Sequence, residues 1–484
     1  MNTFKRTLIL ASIAALLSAC AVGPQFERPA APSVDRYTAE ASAPPLASTT
    51  RQQMETGAAV PGDWWRLFDS SQLNQLVEHA QQRNQTLAAA QATLAQAQAL
   101  VEAKTGARYP QIDLTAGTGR QQYGAQFLGP MQTPPFTYFA FGAAVSYTLD
   151  YTGGVGRAIE QQQALAEYQA RELQATHLSV TGNVVQRAIE VAAAQSEIEA
   201  LQEVLADDRR NLDMIRDAYA AGSVSRVDVL SAESQLASDE TLLPPLRQRL
   251  SAARHGLAVL TGEIPANATL AAPLLADLTL PARLPVNVPS ELVHGRPDIL
   301  AAEAQLHAAT AAVGVATANL YPRITLSATV GQQALETSEL FDAKSTAWGL
   351  IAGLTAPIFD GGKLRAERRA ALAALSVQSA NYQQVVLESF GQVADALDAL
   401  EHDAEQLEAQ SRALDVARQS LDLTRESYNE GNTGVLQVLD GERLYQQARL
   451  GFVRAQAQRL QDTARLFVAL GGGTPDQPLS VASR

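Results

Sequence analysis

The chain of 484 residues carries nearly the same pattern twice. Arg-x-x-Tyr-x-x-Gly, with Val-Leu after six intervening residues, occurs at Arg216, Tyr219, Gly222, Val229 and Leu230. It returns at Arg425, Tyr428, Gly431, Val438 and Leu439, each position shifted by 209. Tyr109-Pro110 and Tyr321-Pro322 lie 212 apart, and Gly153-Gly154 and Gly361-Gly362 lie 208 apart. Matches in register over half a chain indicate a tandem duplication. The duplicated unit is two short alternating strands, a very long heptad helix, a tight turn and a return helix. Aromatic residues are only 6% and charged residues 18% of the chain, which suits long helices packed through small side chains rather than a thick core. Such a unit cannot bury its own surfaces.

The first residues read as an export signal. Lys5 and Arg6 precede a short apolar run, Thr7 to Leu17, too short to span a bilayer. Leu17-Ser18-Ala19-Cys20 follows and resembles the lipobox of bacterial lipoproteins, in which the Cys becomes the acylated first residue. Cys20 is the only cysteine, so no internal disulfide is available. Ala21 at the next position favours, by the same resemblance, sorting to the outer membrane. Acyl chains contribute about 0.8 kcal/mol per buried CH₂, so several tether firmly. The formal net charge of −13, or −15 without Lys5 and Arg6, disfavours a nucleic-acid partner. Beyond residue 20 no transmembrane helix is expected.

The expected organisation is a signal at 1–19, an extended lipid-anchored tether at 20–62, repeat 1 at 63–262, a linker at 263–288, repeat 2 at 289–473 and a tail at 474–484. The tether is rich in Pro, Ala, Ser and Thr. Asp63-Trp64-Trp65 opens the folded part by aromatic packing. Asn84 is placed to cap a helix reaching Thr105, with Leu87, Leu94 and Val101 at sevens and Ala90 and Ala97 between. Ile112, Leu114 and Ala116 alternate with polar or small neighbours, and so do Phe139 to Leu149, Ile324 to Val330 and Trp348 to Ile358. A Gly/Pro-rich loop, Gly124 to Pro135, separates the first two runs. In repeat 2 the long helix is expected from about Leu364 to Glu430, with an irregularity near Gly391; at ~1.5 Å per residue it spans on the order of 100 Å. Its stripe runs Val393, Leu397, Leu400, Ala404, Leu407, Ser411, Leu414, Arg418, Leu421, Arg425, Tyr428. Repeat 1 offers Ile198, Leu201, Leu205, Asp208, Leu212, Ile215, Tyr219. Gly222 and Gly431 fit left-handed helix ends, and Pro244-Pro245 breaks the first return helix.

Four strands of about ten residues suit a tilted crossing of a bilayer, with an apolar, aromatic-ended face toward lipid and a Gly/Ser/Thr/Ala face toward water. Four strands cannot close, and an open edge in lipid leaves backbone groups unpaired. Eight strands fill their own interior, whereas three chains give twelve strands and an open pore. The expected fold is therefore a mixed α/β membrane protein, mainly α. It has a trimeric twelve-stranded outer-membrane β-barrel, four strands per chain, continuous with a periplasmic α-helical coiled-coil barrel.

The chain resembles the TolC-like outer-membrane efflux channel family, in its lipoprotein branch serving tripartite resistance-nodulation-division pumps. Cys20-Ala21-Val22-Gly23-Pro24, Asp63-Trp64-Trp65, both Tyr-x-x-Gly turns, Pro289-Ser290-Glu291-Leu292, Arg296-Pro297-Asp298, Ala302-Glu303, Gly314, Tyr321-Pro322 and Leu470-Gly471-Gly472-Gly473 carry the resemblance. It covers essentially the whole mature chain. It implies a homotrimer, a periplasmic adaptor protein, an inner-membrane proton-driven transporter, and no cofactor beyond covalent lipid on Cys20. It further implies a closed periplasmic end, matched here by Leu436, Asp440 and Arg443: three Leu436 side chains as a plug and three Asp440 as a charged ring, each held by Arg443. Repeat 1 has Val227, Ser231 and Ser234 there, without charges. The turns at Tyr219, Gly222 and Ser223 and at Tyr428, Gly431 and Asn432 are implied docking points for the adaptor. Two departures stand out: Tyr147 where the family often has Trp, and Thr474 where it often has an aromatic.

No catalytic pattern emerges. His79, His177, His255, His294, His307 and His402 are scattered without metal-ligand spacing, and Gly361-Gly362-Lys363 lacks the first Gly and the Ser/Thr of a phosphate loop. The function expected is a passive outer-membrane exit duct for drugs or other toxic small molecules. A type I protein-secretion channel and a lipid-anchored coiled-coil scaffold without a pore remain open as alternatives.

Overall fold

The computed structural model describes residues 22–34, 36–38, 52–123, 134–269 and 271–472. The export signal, Cys20, most of the Gly124–Pro135 loop, and Gly473 with the tail beyond it lie outside the described residues. The chain forms two compact units. One comprises Met1–Pro29, Leu94–Gln169 and Ala302–Tyr382; the other comprises Ala30–Thr93, Ala170–Ala301 and Gln383–Arg484.

In chain order, β1 (Gln53–Thr56) precedes α1 (Ser71–Arg83) and α2 (Gln85–Thr105). Two strands follow, β2 (Gln111–Gln121) and β3 (Phe136–Leu149), then α3 (Gly154–Ala220), α4 (Arg226–Glu240) and α5 (Leu243–Leu260). After β4 (Arg283–Val286) and α6 (Pro289–Gly295) the pattern repeats: α7 (Pro297–Ala318), β5 (Arg323–Ala334), β6 (Thr346–Thr355), α8 (Lys363–Asn429) and α9 (Val435–Ala469). The duplication is visible in the bounds. Helices α3 and α8 each have 67 residues, and both their ends differ by 209. Gly391 does not interrupt α8. In repeat 1 the return helix breaks at Thr241 and Leu242, and Pro244 and Pro245 occupy the first turn of α5, where a missing N–H costs no helical bond. In repeat 2 the return helix α9 is unbroken over 35 residues.

The first unit holds one antiparallel sheet, ordered β2-β3-β5-β6. Its register lines up every alternating pattern. Ile112 faces Val145, Val145 faces Ala328, and Ala328 faces Leu350. Leu114, Ala143, Val330 and Trp348 form the next row, while Tyr147, Leu326 and Ala352 form the row on the other side. A slip of one residue in any pair would scatter these side chains over both faces. The opposite face carries Asp113, Ala144, Thr329 and Gly349, then Thr115, Gly142, Gly331 and Ala347. Gly142 and Gly331 meet across strands so closely that a Cβ on Gly142 would lie 2.8 Å from the Val330 carbonyl oxygen. Strand β6 ends at Thr355, short of the expected Ile358, because Pro357 has no N–H for the ladder.

Each strand pair leads into its long helix through an aspartate. Asp150 accepts from the Val155 and Gly156 N–H groups at 2.9 and 2.8 Å. Asp360 accepts from Gly362 and Leu364 at 2.8 and 2.9 Å, and those N–H groups hold its carboxyl below the usual range. In the same unit the segment after Cys20 is docked rather than loose. Val22 N–H donates to the Thr152 carbonyl at 3.0 Å, Phe26 stacks on His307 at 4.4 Å, and Arg28 pairs with Glu303 at 2.7 Å. A Cβ on Gly23 would meet the Gly314 Cα at 2.6 Å, so the strap runs hard against α7. The stretch read as an extended tether is thus bound at both described ends: Gln53–Thr56 pairs in parallel with Arg283–Val286, inside the stretch read as a linker. Helix α7 is also long and apolar enough to cross a membrane by length and composition, against the expectation of none. It is half buried and bears Glu303 and His307, both paired, and it is the repeat-2 counterpart of α2.

The second unit is built around Trp64, Phe68 and Phe467, with Trp64 and Phe467 ring centroids 5.4 Å apart. Asn84 caps α2 as expected, accepting from Thr86 and Leu87 N–H. The buried Arg296 donates to the Ala469 carbonyl at 2.7 Å, satisfying an acceptor at the buried end of α9, and to Asp298 at 2.9 Å.

Ala328 lies in the middle apolar row. Ala328→Arg should cost roughly 2–4 kcal/mol if that face meets lipid, whereas Ser327→Arg on the other face should be tolerated. The check is the amount of each variant recovered in outer-membrane fractions; equal recovery would show that neither face is lipid-exposed.

Candidate functional site

The two helical hairpins end in the same turn. Ser223 N–H donates to the Ala218 carbonyl and Gly222 N–H to Tyr219, each at 2.9 Å. Asn432 N–H donates to Ser427 and Gly431 N–H to Tyr428, again at 2.9 Å. This paired pattern closes a helix only if the glycine takes positive φ, and Gly222 has φ 75° and Gly431 φ 78°. Both turns therefore keep the backbone bare. After the first, Ser225 and Asp228 cap α4 reciprocally. After the second, Gly434 leaves the start of α9 without a side-chain cap.

The turns lie side by side in the second unit. Gly222, Ser223, Ser225, Gly434, Val435 and Leu436 border a shared cleft of about 440 Å³. Beneath it, Leu212, Ile215, Ala232 and Val435 form a small core with Tyr428 packed against it. Tyr219, the last member of the repeat-1 stripe, does not join that core and is exposed. Of the residues matched to the aperture, Leu436 is exposed, and Arg443 pairs with Asp440 at 2.7 Å on the exposed face of α9. Both members of the pair are well solvated, so its energetic worth in a single chain is small.

Cross-ties with little sequence signature lie behind this face. Glu442, one residue before Arg443, is buried and accepts from Arg425 at 2.9 Å and from Asn211. Arg425 also reaches Asp207 at 3.3 Å, and Arg449 pairs with Glu203. Further along α3, Glu197 is fully buried between Arg249 of α5 and Arg454 of α9, at 2.9 and 2.8 Å. The second hairpin is thus tied to α3 by ion pairs that cross between repeats. The one signal available was Arg425 and Asp208 standing at apolar stripe positions, where a charge needs a partner.

The sequence model of the outer membrane efflux protein family matches residues 76–263 and again residues 288–472. The chain belongs to the outer membrane efflux protein family. It is 32% identical to the "Pyoverdine export outer membrane protein OpmQ" of Pseudomonas aeruginosa over 97% of each chain. It is 27% identical to the "Probable outer membrane lipoprotein SilC" of Salmonella typhimurium, over 97% of this chain and 99% of that one. Its fold matches the solved outer-membrane channel OprN with a TM-score of 0.85 at 29% identity, over 94% of this chain and 99% of that one. This efflux protein is accordingly an outer-membrane protein with the mixed, mainly helical channel fold, its four strands forming a portion of a barrel wall.

Glu442→Ala removes the acceptor shared by Arg425 and Asn211. It should destabilise by roughly 1–3 kcal/mol and lower the melting temperature of the purified protein by several degrees. An unchanged melting temperature would show that the tie contributes nothing.

Proposed function

We propose that three copies of this efflux protein form a passive duct through the outer membrane, the exit stage of a tripartite pump for small molecules. The observation that carries the reading is the sheet. Its apolar rows run from Leu149 to Phe141, about 27 Å along β3 and roughly 20 Å at a 40° tilt, close to the ~25 Å apolar band of outer-membrane barrels. Its edge strands, β2 and β6, each pair on one side only, and their outer sides have no strand partner among the described residues. Two more copies supply eight strands and remove both edges, leaving a twelve-stranded wall wide enough for a water-filled pore. The helices also leave apolar side chains open: Leu100, Leu372, Val377, Leu387, Val416 and Leu423 are exposed on a single chain, and neighbouring copies would cover them.

The lipid belongs on Cys20. Two residues on, Val22 N–H donates to the Thr152 carbonyl in the strand-to-helix junction after β3. The periplasmic end is gated by Leu436, Asp440 and Arg443, and the assignment is supported by the exposure of Leu436 and by the Asp440–Arg443 contact on the same exposed face of α9. The bare turns at Gly222–Ser223 and Gly431–Asn432, flanked by Tyr219 and Tyr428, receive the hairpin of a periplasmic adaptor linked to an inner-membrane resistance-nodulation-division transporter. Cargo selection belongs upstream. OpmQ is named for pyoverdine export, and nothing in the lumen-side face of small residues requires the same cargo here.

Native membranes treated with cross-linker should yield a heat-sensitive trimer. Monomers alone would remove the duct and favour a scaffold. Asp440→Ala with Arg443→Ala should raise conductance of the reconstituted channel several-fold; unchanged conductance would remove the gate assignment. Replacing Gly431 by a bulky residue should abolish drug tolerance while leaving the trimer intact, because a Cβ there meets nothing in the chain itself but would stand in the path of a docking hairpin. Normal tolerance in that variant would move the adaptor elsewhere. Deletion should sensitise cells to small toxic compounds and not block secretion of a protein, the outcome that would favour type I export.

A further inference from the structure

Each hairpin buries one pair of aspartates between its two helices. In the first, Asp208 of α3 is 3% exposed and lies against Asp239 of α4. No N–H or hydroxyl donates to either oxygen of Asp208; its hydrogen-bonding neighbour is the Asp239 carboxyl itself. Two carboxyl groups bond to each other only when one keeps its proton. In the second hairpin, Asp403 of α8 meets Asp462 of α9, again with a carboxylate oxygen of Asp403 lacking a donor. The two pairs are not copies of one another, since neither member is shifted by 209.

We propose that each helical hairpin is clamped by a carboxyl–carboxylate pair sharing one proton, so that losing the proton pushes its two helices apart. The surroundings of Asp208 favour this. From α3, Asp207 faces it; from α9, Glu442 does; both are acidic. The available cation, Arg425 of α8, is already engaged by Glu442 and Asp207. Asp239 sits in the last turn of α4, where the helix dipole opposes a negative charge, and Gln235 donates to it at 2.8 Å. Burial first, then Asp239, push the Asp208 carboxyl up to about 7. Burial and Asp462 do the same to Asp403, up to about 7, against Arg459 and Arg465. Because the proton favours the closed form, its stabilisation is complete below the ordinary carboxylate range and is lost as pH rises through about 7. The first hairpin is the one built to respond. Its helix α4 is bounded by the glycine turn at Gly222 and the break at Thr241, so it moves without bending a continuous helix.

Hydrogen–deuterium exchange of the purified full-length protein at pH 6 and pH 8, corrected for intrinsic rates, tests it. Residues 226–240 should open about tenfold more at pH 8 than at pH 6, the ratio set by a group titrating near 7. Asp208→Asn and Asp239→Asn each supply an amide donor in place of the proton, so both should hold α4 at its pH 6 protection at either pH. A wild-type ratio near one would overturn the proposal without recourse to a variant. So would a tenfold ratio retained in the two Asn variants.

Discussion

The pairing of four strands in one register is the constraint on which the rest depends. Alternation along each strand is a local property of sequence, but only the observed register collects Ile112, Val145, Ala328 and Leu350 into one row and their polar neighbours into another. The result is a sheet with one apolar face, one small polar face and two unpaired edges. In lipid an unpaired backbone group costs several kcal/mol, so the sheet is stable there only as part of a closed wall. Oligomerisation then follows from hydrogen bonding before any helix is considered.

The helices solve a different problem. Two 67-residue helices and their return helices are held by apolar clusters and, between them, by placed charges. Glu197 between Arg249 and Arg454, and Arg425 between Asp207 and Glu442, join elements from different repeats. Breaking such a buried tie is costly because it strands a charge. The ties therefore specify how the repeats meet, while the glycine turns leave the ends of the hairpins bare for contact with something else. The buried aspartate pairs sit within the hairpins, and the first lies beside Asp207 and Glu442 of the Arg425 tie.

Much of this was legible in the chain. The helix expected from about Leu364 to Glu430 lies within a residue of the observed Lys363–Asn429, since helices are written by local periodicity. Asn84, Gly222 and Gly431 foretold their caps because capping is a matter of a few adjacent residues. The strand faces were legible for the same reason, apart from the end of β6 at Thr355. What escaped were pairings between distant segments. Gln53–Thr56 with Arg283–Val286 shows no alternation to read. The strap from Val22 to Arg28 is held by a stack, an ion pair and one close glycine contact, none of which has a sequence signature. At the hairpin ends the turns and the Asp440–Arg443 spacing were readable, whereas Glu442 looked like an ordinary surface acid. Asp208 stood in an apolar stripe and so invited a partner, but nothing along the chain pointed to Asp239.

The most direct measurement is backbone amide protection of the strands in native membranes. If copies of the chain close the wall edge to edge, amides of β2 and β6 exchange as slowly as those of the central strands β3 and β5. Fast exchange confined to one side of β2 and of β6, with the centre protected, would mean that the edges stay open and that no closed barrel forms.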